Sequence, residues 1–257
     1  VKSLSVILIT RNEARNIEAC LESVSFAAEA VVVDSGSSDG TAALAQARGA
    51  RVVVTQDWPG FGPQKNRALE LATGEWVLSI DADERVTPEL RESILAAIAQ
   101  PRFDAYEIDR RSSYCGQSMA HSGWSPDRVV RLVRRGTASF SPSQVHERLV
   151  PAGPVGRLEG KLLHESMRDF ESVIDKMDRY STAGARMLME RGVRGSMGKS
   201  IAHGLWAFLR TYVFRLGFLD GRLGFALAVS NAEGTYYRYM KLWLMQRQAA
   251  GNEAGPG

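Results

Sequence analysis

Cysteine is scarce in this chain, with only Cys20 and Cys115 among 257 residues. Two such residues make neither a disulfide framework nor a zinc-ligand spacing, which excludes a disulfide-stapled scaffold and a structural zinc module. Cys20 stands at helical spacing with Ile17, Leu21 and Val24, so its expected place is a packed core. The first residues run directly into a strand without a secretory signal, and a reducing, cytosol-facing location is expected. Long uncharged apolar runs are missing as well. The richest stretches, 199–219 and 223–232, fall short of the roughly 18–20 residues that a spanning helix needs. No Gly-x-Gly-x-x-Gly follows the first apolar run and no Walker loop occurs, which speaks against dinucleotide and P-loop sites. Zinc-finger, helix-turn-helix and RNA-recognition signatures are absent, so nucleic acid is not an expected partner. There is no internal repeat, and low complexity is confined to 249–257.

What is present is a chain with 44% hydrophobic residues, ample for a buried core. Its net charge of +3 is unevenly spread. Residues 1–165 carry 19 Lys+Arg and 21 Asp+Glu, a net of −2, whereas residues 166–257 carry 13 and 8, a net of +5. A modest basic surplus beside apolar residues points to an anionic membrane surface.

The first hundred residues alternate strand and helix patterns, which predicts an α/β fold with a mostly parallel sheet. Strands are expected at 4–9, 30–33, 51–55 and 76–80. Asn12 is placed to cap a helix bearing Ile17 and Leu21, and Ser38 or Asp39 to cap the next. Pro63 suits the first turn of a third helix, and Thr87-Pro88 opens a fourth with Leu90, Ile94 and Ile98 inward. From about 104 to 165 the pattern turns to short strands and polar loops, and two long helical patterns follow over 169–190 and 201–219.

The chemistry concentrates at the ends of these strands. Asp81-Ala82-Asp83 closes the run Trp76-Val77-Leu78-Ser79-Ile80, and open α/β sheets bind ligands at that carboxyl edge. Strand period points both carboxylates to one side, where they could share a cation, and hard oxygen ligands suit Mg²⁺ or Mn²⁺. Thr10-Arg11-Asn12-Glu13 and Asp34-Ser35-Gly36-Ser37-Ser38-Asp39-Gly40-Thr41 end the first and second strands. Hydroxyls, carboxylates and backbone amides at such ends can read a nucleoside.

These segments, with Gln64-Lys65-Asn66-Arg67-Ala68 and Gly74-Glu75-Trp76-Val77-Leu78-Ser79-Ile80-Asp81-Ala82-Asp83-Glu84 in the same order, resemble the nucleotide-binding half of a family 2 glycosyltransferase. The resemblance implies a GT-A fold, a UDP-sugar donor and a divalent metal. It implies that Asp83 ligands the metal and that Asp81, with Ala82 between them, faces the nucleoside side. Thr10, Arg11, Asn12, Glu13, Asp34 and Ser35 would line the donor pocket, Ser35 standing where many members carry a second acid. Lys65 would reach toward the diphosphate. Trp124-Ser125-Pro126-Asp127 through Gly136 resembles the family's acidic pair followed by an Arg-Leu element, with Pro126 replacing the first acid. Asp127 is therefore the expected general base, Glu147 the second candidate, and Arg131 a partner for donor phosphate. His146 and His164 are alternative candidates for a histidine near metal or diphosphate.

Residues 155–166, 216–221 and 241–243 narrow the resemblance to bacterial lipopolysaccharide inner-core β-glucosyltransferases. The expected organisation is a GT-A domain over 1–165, divided into a nucleotide-sugar half (1–100) and an acceptor half (101–165). A helical, membrane-associating region would occupy 166–257. Wide apolar faces with aromatic and Arg residues fit helices lying in a membrane interface; packing on the protein's own core, or at a subunit contact in a homo-oligomer, is the alternative. The expected activity is inverting transfer of a hexose, from UDP-glucose, to a lipid-linked lipopolysaccharide inner-core heptose at the cytoplasmic face of the inner membrane. A polyprenyl-phosphate sugar transferase and a non-catalytic membrane-surface module are the competing readings.

Overall fold

A computed structural model describes residues 3–141 and 147–253. The chain divides into two compact units, Val1–Arg111 with Asp127–His164, and Ser112–Pro126 with Glu165–Gly257.

Four parallel strands open the first unit: β1 (Leu4–Thr10), β2 (Glu29–Asp34), β3 (Arg51–Val54) and β4 (Trp76–Ser79). Between and after them come α1 (Ile17–Ser23), α2 (Thr41–Ala47), α3 (Phe61–Leu71), the short β5 (Glu84–Val86) and α4 (Pro88–Ala99). The chain continues through β6 (Ala105–Tyr114), β7 (Gln117–Ser118), β8 (Asp127–Arg134), β9 (Ala138–Phe140), β10 (Leu149–Pro151) and β11 (Val155–Met167). The main sheet runs β3-β2-β1-β4-β8-β6-β11-β5, with β7 beside β6, while β9 and β10 pair separately. β8 is antiparallel to both β4 and β6, so the sheet is mixed. β1 lies between β2 and β4, and the winding reverses there. That reversal opens a ligand crevice at the carboxyl ends of the strands.

Both faces of the parallel half are covered, which explains why its strands read as unbroken apolar runs. Val6, Leu8, Val32 and Leu78 pack with Ile17, Leu21, Leu90 and Ile94. Ile7, Val31, Val33 and Val77 pack on the other side with Ala68, Ala72, Val133 and Phe140. Helix α4 begins as expected, with Pro88 in its first turn and the Thr87 side chain accepting from Leu90 N–H. Helix α1 does not. Asn16 holds its N-cap position, and Asn12 adopts a left-handed backbone (φ 57°) that leaves its side chain to brace a neighbouring loop.

In the second unit, α5 (Phe170–Glu190) starts at a capping box between Asp169 and Ser172, and α6 (Met197–Leu209) is capped by Ser196. The continuous helix expected over 201–219 is broken. A π-helical turn covers Arg210–Phe214, Leu216 turns left-handed, and a 3-10 turn spans Gly217–Asp220. α7 (Gly221–Glu253) then joins in one helix the apolar runs that look separate in the sequence. Lys241 Nζ donates to Asp178 Oδ1 (2.6 Å), Ser181 Oγ (2.9 Å) and Thr182 Oγ1 (2.8 Å), tying α7 to α5. The rings of His203 and Tyr239 stack 4.1 Å apart, tying α6 to α7. No helix among the described residues is long and apolar enough to cross a membrane.

Candidate active site

The ends of β1 and β2 are register partners, Thr10 opposite Asp34. Thr10 Oγ1 donates to the buried Asp34 carboxylate at 2.8 Å, and Ser37 donates to it through both N–H (2.8 Å) and Oγ (2.5 Å). Ser37 Oγ in turn accepts from Asn12 N–H at 2.8 Å, and Asn12 Oδ1 accepts from Ser38 N–H at 2.9 Å. Glu13 N–H reaches Thr41 Oγ1 at 2.8 Å, so the two loops are cross-braced along their length. Ser35 is anchored by its N–H to the Thr10 carbonyl and by its hydroxyl to Gln64 Nε2. Arg11 is exposed beside them. Asp34 thus organises the two loops that end β1 and β2.

A second cluster lies where β4 ends. Asp81 does not continue the strand: Glu84 N–H bonds to the Asp81 carbonyl at 2.9 Å, making a turn of 81–84. Strand period therefore does not govern the two aspartates, and they engage separate partners. Asp81 pairs with Lys65 Nζ (2.9 Å) and Arg131 Nη2 (2.8 Å). Asp83 Oδ2 lies 3.3 Å from His164 Nε2. Ala82, between them, is buried.

The pairs around Asp81 extend in both directions. Lys65 also pairs with Glu147 at 2.9 Å, Arg131 with the fully buried Glu84 at 2.7 Å, and Glu84 with Arg110 at 3.5 Å. Arg110 Nε and Nη2 both reach Asp127 Oδ2, at 2.9 and 2.8 Å. Signs alternate without a break along Glu147, Lys65, Asp81, Arg131, Glu84, Arg110 and Asp127. The chain thereby links the two candidate bases to the aspartate motif.

Burial disfavours the ionised form of Asp81, but the charges of Arg131 and Lys65 outweigh it and hold the carboxyl well below its usual range. Burial dominates at Glu84 and raises its carboxyl despite Arg131, the neighbouring Asp81 charge adding to the rise. Arg131 is pushed down by burial and up, more strongly, by Asp81 and Glu84, so it stays charged. A pH dependence follows for Asp81. The folded chain holds this proton more weakly than the unfolded one, so unfolding takes up a proton and stability rises with pH. The gain is complete above the unfolded carboxylate value of about 3.9 and is lost as pH falls below it toward the depressed folded value. Urea midpoints measured across about pH 2–5 should fall toward acid more steeply for wild type than for Asp81→Asn. Equal slopes would show that Asp81 carries no such linkage.

No local pattern in the sequence marks a role for Glu84 or Arg110. Glu84 was visible as the residue following the aspartate motif. Arg110 had no local signal, because its partnership with Asp127 comes from their register across β6 and β8. His146 lies outside the described residues. Among the described residues no group of three or more His, Cys, Asp or Glu could hold a metal ion. Asp83 and His164 nonetheless fit a hard divalent cation that draws its other ligands from a diphosphate and water.

Comparison with known proteins gives the family of the chain. The family model described as "Glycosyl transferase family 2" matches residues 5–138. The lipopolysaccharide core biosynthesis glycosyltransferase LpsC of Rhizobium meliloti is 36% identical over 251 residues, covering 92% of this chain and 93% of the relative. An uncharacterized glycosyltransferase of Rickettsia typhi is 31% identical over 255 residues, covering 94% and 87% respectively. Among solved structures, glucosyl-3-phosphoglycerate synthase from Mycobacterium tuberculosis, in complex with Mn²⁺, UDP and glucosyl-3-phosphoglycerate, is 29% identical. That overlap covers 45% of each chain with a TM-score of 0.37.

Proposed function

The chain belongs to glycosyl transferase family 2 and is a glycosyltransferase of GT-A-like α/β fold, and from that premise we propose that it transfers a hexose, from UDP-glucose, to a lipopolysaccharide inner-core heptose with inversion at the anomeric carbon. The observation that carries this reading is the convergence of Asp34 and Thr10, Asp81 and Lys65, and the Asp83–His164 pair at the carboxyl ends of β1, β2 and β4. The braced loops ending β1 and β2 hold the nucleoside. Asp83 and His164 would hold Mg²⁺ or Mn²⁺. When bound, the cation offsets charge on the leaving diphosphate.

The remaining work falls to the chain's own groups. The acceptor hydroxyl attacks the anomeric carbon in line, the bond to the diphosphate oxygen breaks, and the hydroxyl proton passes to Asp127. Asp127 is preferred to Glu147 because an acceptor must reach it. Its side chain is 35% exposed, whereas Glu147 is 16% exposed and tied to Lys65. Arg110 keeps the Asp127 carboxylate in one orientation before the acceptor arrives. Lys65 and Arg131 set the position of Asp81 and keep positive charge beside the diphosphate.

Asp127→Asn is expected to retain UDP binding and to lose about 10²–10⁴-fold in turnover, the range for a positioned general base. Transfer assays on an extracted lipid-linked acceptor measure it. Full activity would move the base to Glu147, or point to an acceptor that is already ionised, as a polyprenyl phosphate is.

Peripheral attachment to the cytoplasmic face of the inner membrane suits a lipid-linked acceptor. It is supported by exposed Ile201, Leu205, Trp206 and Leu209 on α6, set among basic residues.

A further inference from the structure

The donor-site mechanism leaves one charged cluster unused, and it lies wholly in the second unit. Residues 117–123 and the turn of 210–221 meet there around a single buried carboxylate, Asp220. It accepts from the N–H groups of Ala120 (3.0 Å) and His121 (3.1 Å) and from Ser122 Oγ (2.7 Å). The Asp220 carbonyl accepts from Gln117 Nε2 at 2.7 Å. His121 Nδ1 lies 3.2 Å from Asp220 Oδ1. An ionised carboxylate only accepts, so Nδ1 carries a hydrogen, and Nε2 is the ring nitrogen left for an outside group.

Arg215 is fixed to the same loop. Its carbonyl accepts from Ser122 N–H at 2.8 Å, and its guanidinium lies across Gly123. A Cβ at Gly123 would fall 2.3 Å from Nη1, so only glycine leaves room for that position. Arg215 has no acidic partner among the described residues. Both sides of the junction are strained: Ser122 (φ 60°) and Leu216 (φ 56°) hold left-handed backbones without being glycine. Asn12, in the donor loops, is another such residue in this chain. Strain of this kind persists where surrounding contacts over-determine a functional geometry.

The surroundings identify the ligand's chemistry. Phe214, 66% exposed, stands beside Arg215, with Leu216, Phe218 and Leu219 also exposed on the same turn. Across 191–232 the charged residues are Arg191, Arg194, Lys199, Arg210, Arg215 and Arg222, against one acid, Asp220, which His121 and its neighbours already occupy. A two-fold contact with a second copy would set these basic residues against themselves. An amphiphile with an oxyanion head meets both requirements, and phosphate takes charge-assisted bonds from a guanidinium and from an imidazolium, which donates through both ring nitrogens.

We infer that His121 and Arg215 form a binding site for a phosphate ester carried by a lipid, with Asp220 positioning the imidazole. The inference rests on the peripheral-membrane reading above. Two sources share this chemistry, a bilayer phospholipid and a phosphorylated acceptor.

The test uses the full chain in flotation with vesicles of phosphatidylcholine alone and with added phosphatidic acid, together with NMR of the His121 imidazole during titration with sn-glycerol 3-phosphate. Phosphatidic acid is expected to tighten vesicle binding about tenfold, and His121→Gln and Arg215→Gln should each lose that gain while still binding neutral vesicles. Glycerol 3-phosphate should shift the His121 resonances in wild type and leave them unmoved in Arg215→Gln. A His121 response without any gain from phosphatidic acid keeps the phosphate site and assigns its ligand to the acceptor. An undiminished phosphatidic acid preference in both variants overturns the site and leaves the membrane reading standing. A wild type that floats with neither vesicle and shows no His121 response overturns both.

Discussion

Asp83→Ala is expected to abolish metal-dependent donor binding and to slow transfer by roughly 10³-fold, equivalent to about 4 kcal/mol of lost charge stabilisation. Asp83 stands apart from the ion-pair chain that fixes Asp81, and its partner is His164 at 3.3 Å. Removing its carboxylate therefore takes away a hard oxygen ligand without unpairing Lys65, Arg131 or Glu84. The fold should survive, and the loss should appear in binding before it appears in rate. Calorimetric titration of UDP and UDP-glucose, with and without Mn²⁺, separates the two. Wild type should bind more tightly with the metal, and the variant should bind equally weakly with and without it. Unchanged UDP affinity in the presence of Mn²⁺ would remove Asp83 from the metal site. His164→Ala is the companion variant, with a smaller expected loss because the carboxylate remains.

Arg131→Met should act in the opposite way, on stability before chemistry. Arg131 is buried and neutralises Asp81 and Glu84 at once, at 2.8 and 2.7 Å. Methionine fills a similar volume but leaves Glu84 fully buried with Arg110, at 3.5 Å, as its remaining cationic partner, beside the hydrogen bond it accepts from Asp81 N–H at 2.9 Å. Breaking a buried pair from one side costs about 3–5 kcal/mol, because the remaining charge has lost its compensation. Urea unfolding should show that loss as a lower midpoint at unchanged slope. The double variant Arg131→Met, Glu84→Gln should recover part of it, since the uncompensated charge goes with its partner. If the double variant is no more stable than the single one, the cost belongs to lost packing and not to charge.

Both predictions turn on a distinction that a D-x-D pattern does not contain. By strand period alone Asp81 and Asp83 are equivalent, two carboxylates on one side of a strand, and only the family resemblance gives them different roles. In the fold the turn at 81–84 separates them, one into an ion-pair chain and the other beside a histidine from β11. The spacing marks the strand end where these residues gather, and the turn removes strand period as a ground for a shared cation.

Much of the first unit was legible locally. Unbroken apolar runs marked the parallel strands because both sheet faces are covered, and Thr87-Pro88 marked the start of α4 because capping chemistry involves only near neighbours. The strand-end polar clusters were legible for the same reason, since crossing from apolar to polar at a strand end needs no knowledge of topology. The C-terminal helices were read less well. The break after Leu209 depends on Arg215 and Asp220 being held by residues about a hundred positions earlier, among them Ser122 and Ala120. Apolar composition alone continues the helix across that point.

By itself the sequence determined the α/β order, the strand ends at which the polar clusters gather, and the family to which the chain belongs. Those follow from periodicity and from short motifs whose residues are neighbours in the chain. The tertiary structure alone decided that Arg110 faces Asp127, that Glu84 is buried against Arg131, that Asp83 meets His164, and that His121 meets Asp220. Each of these joins residues from different elements through strand register or chain return. A one-residue slip in register would turn Arg110 to the other face of the sheet, and no local pattern encodes that choice.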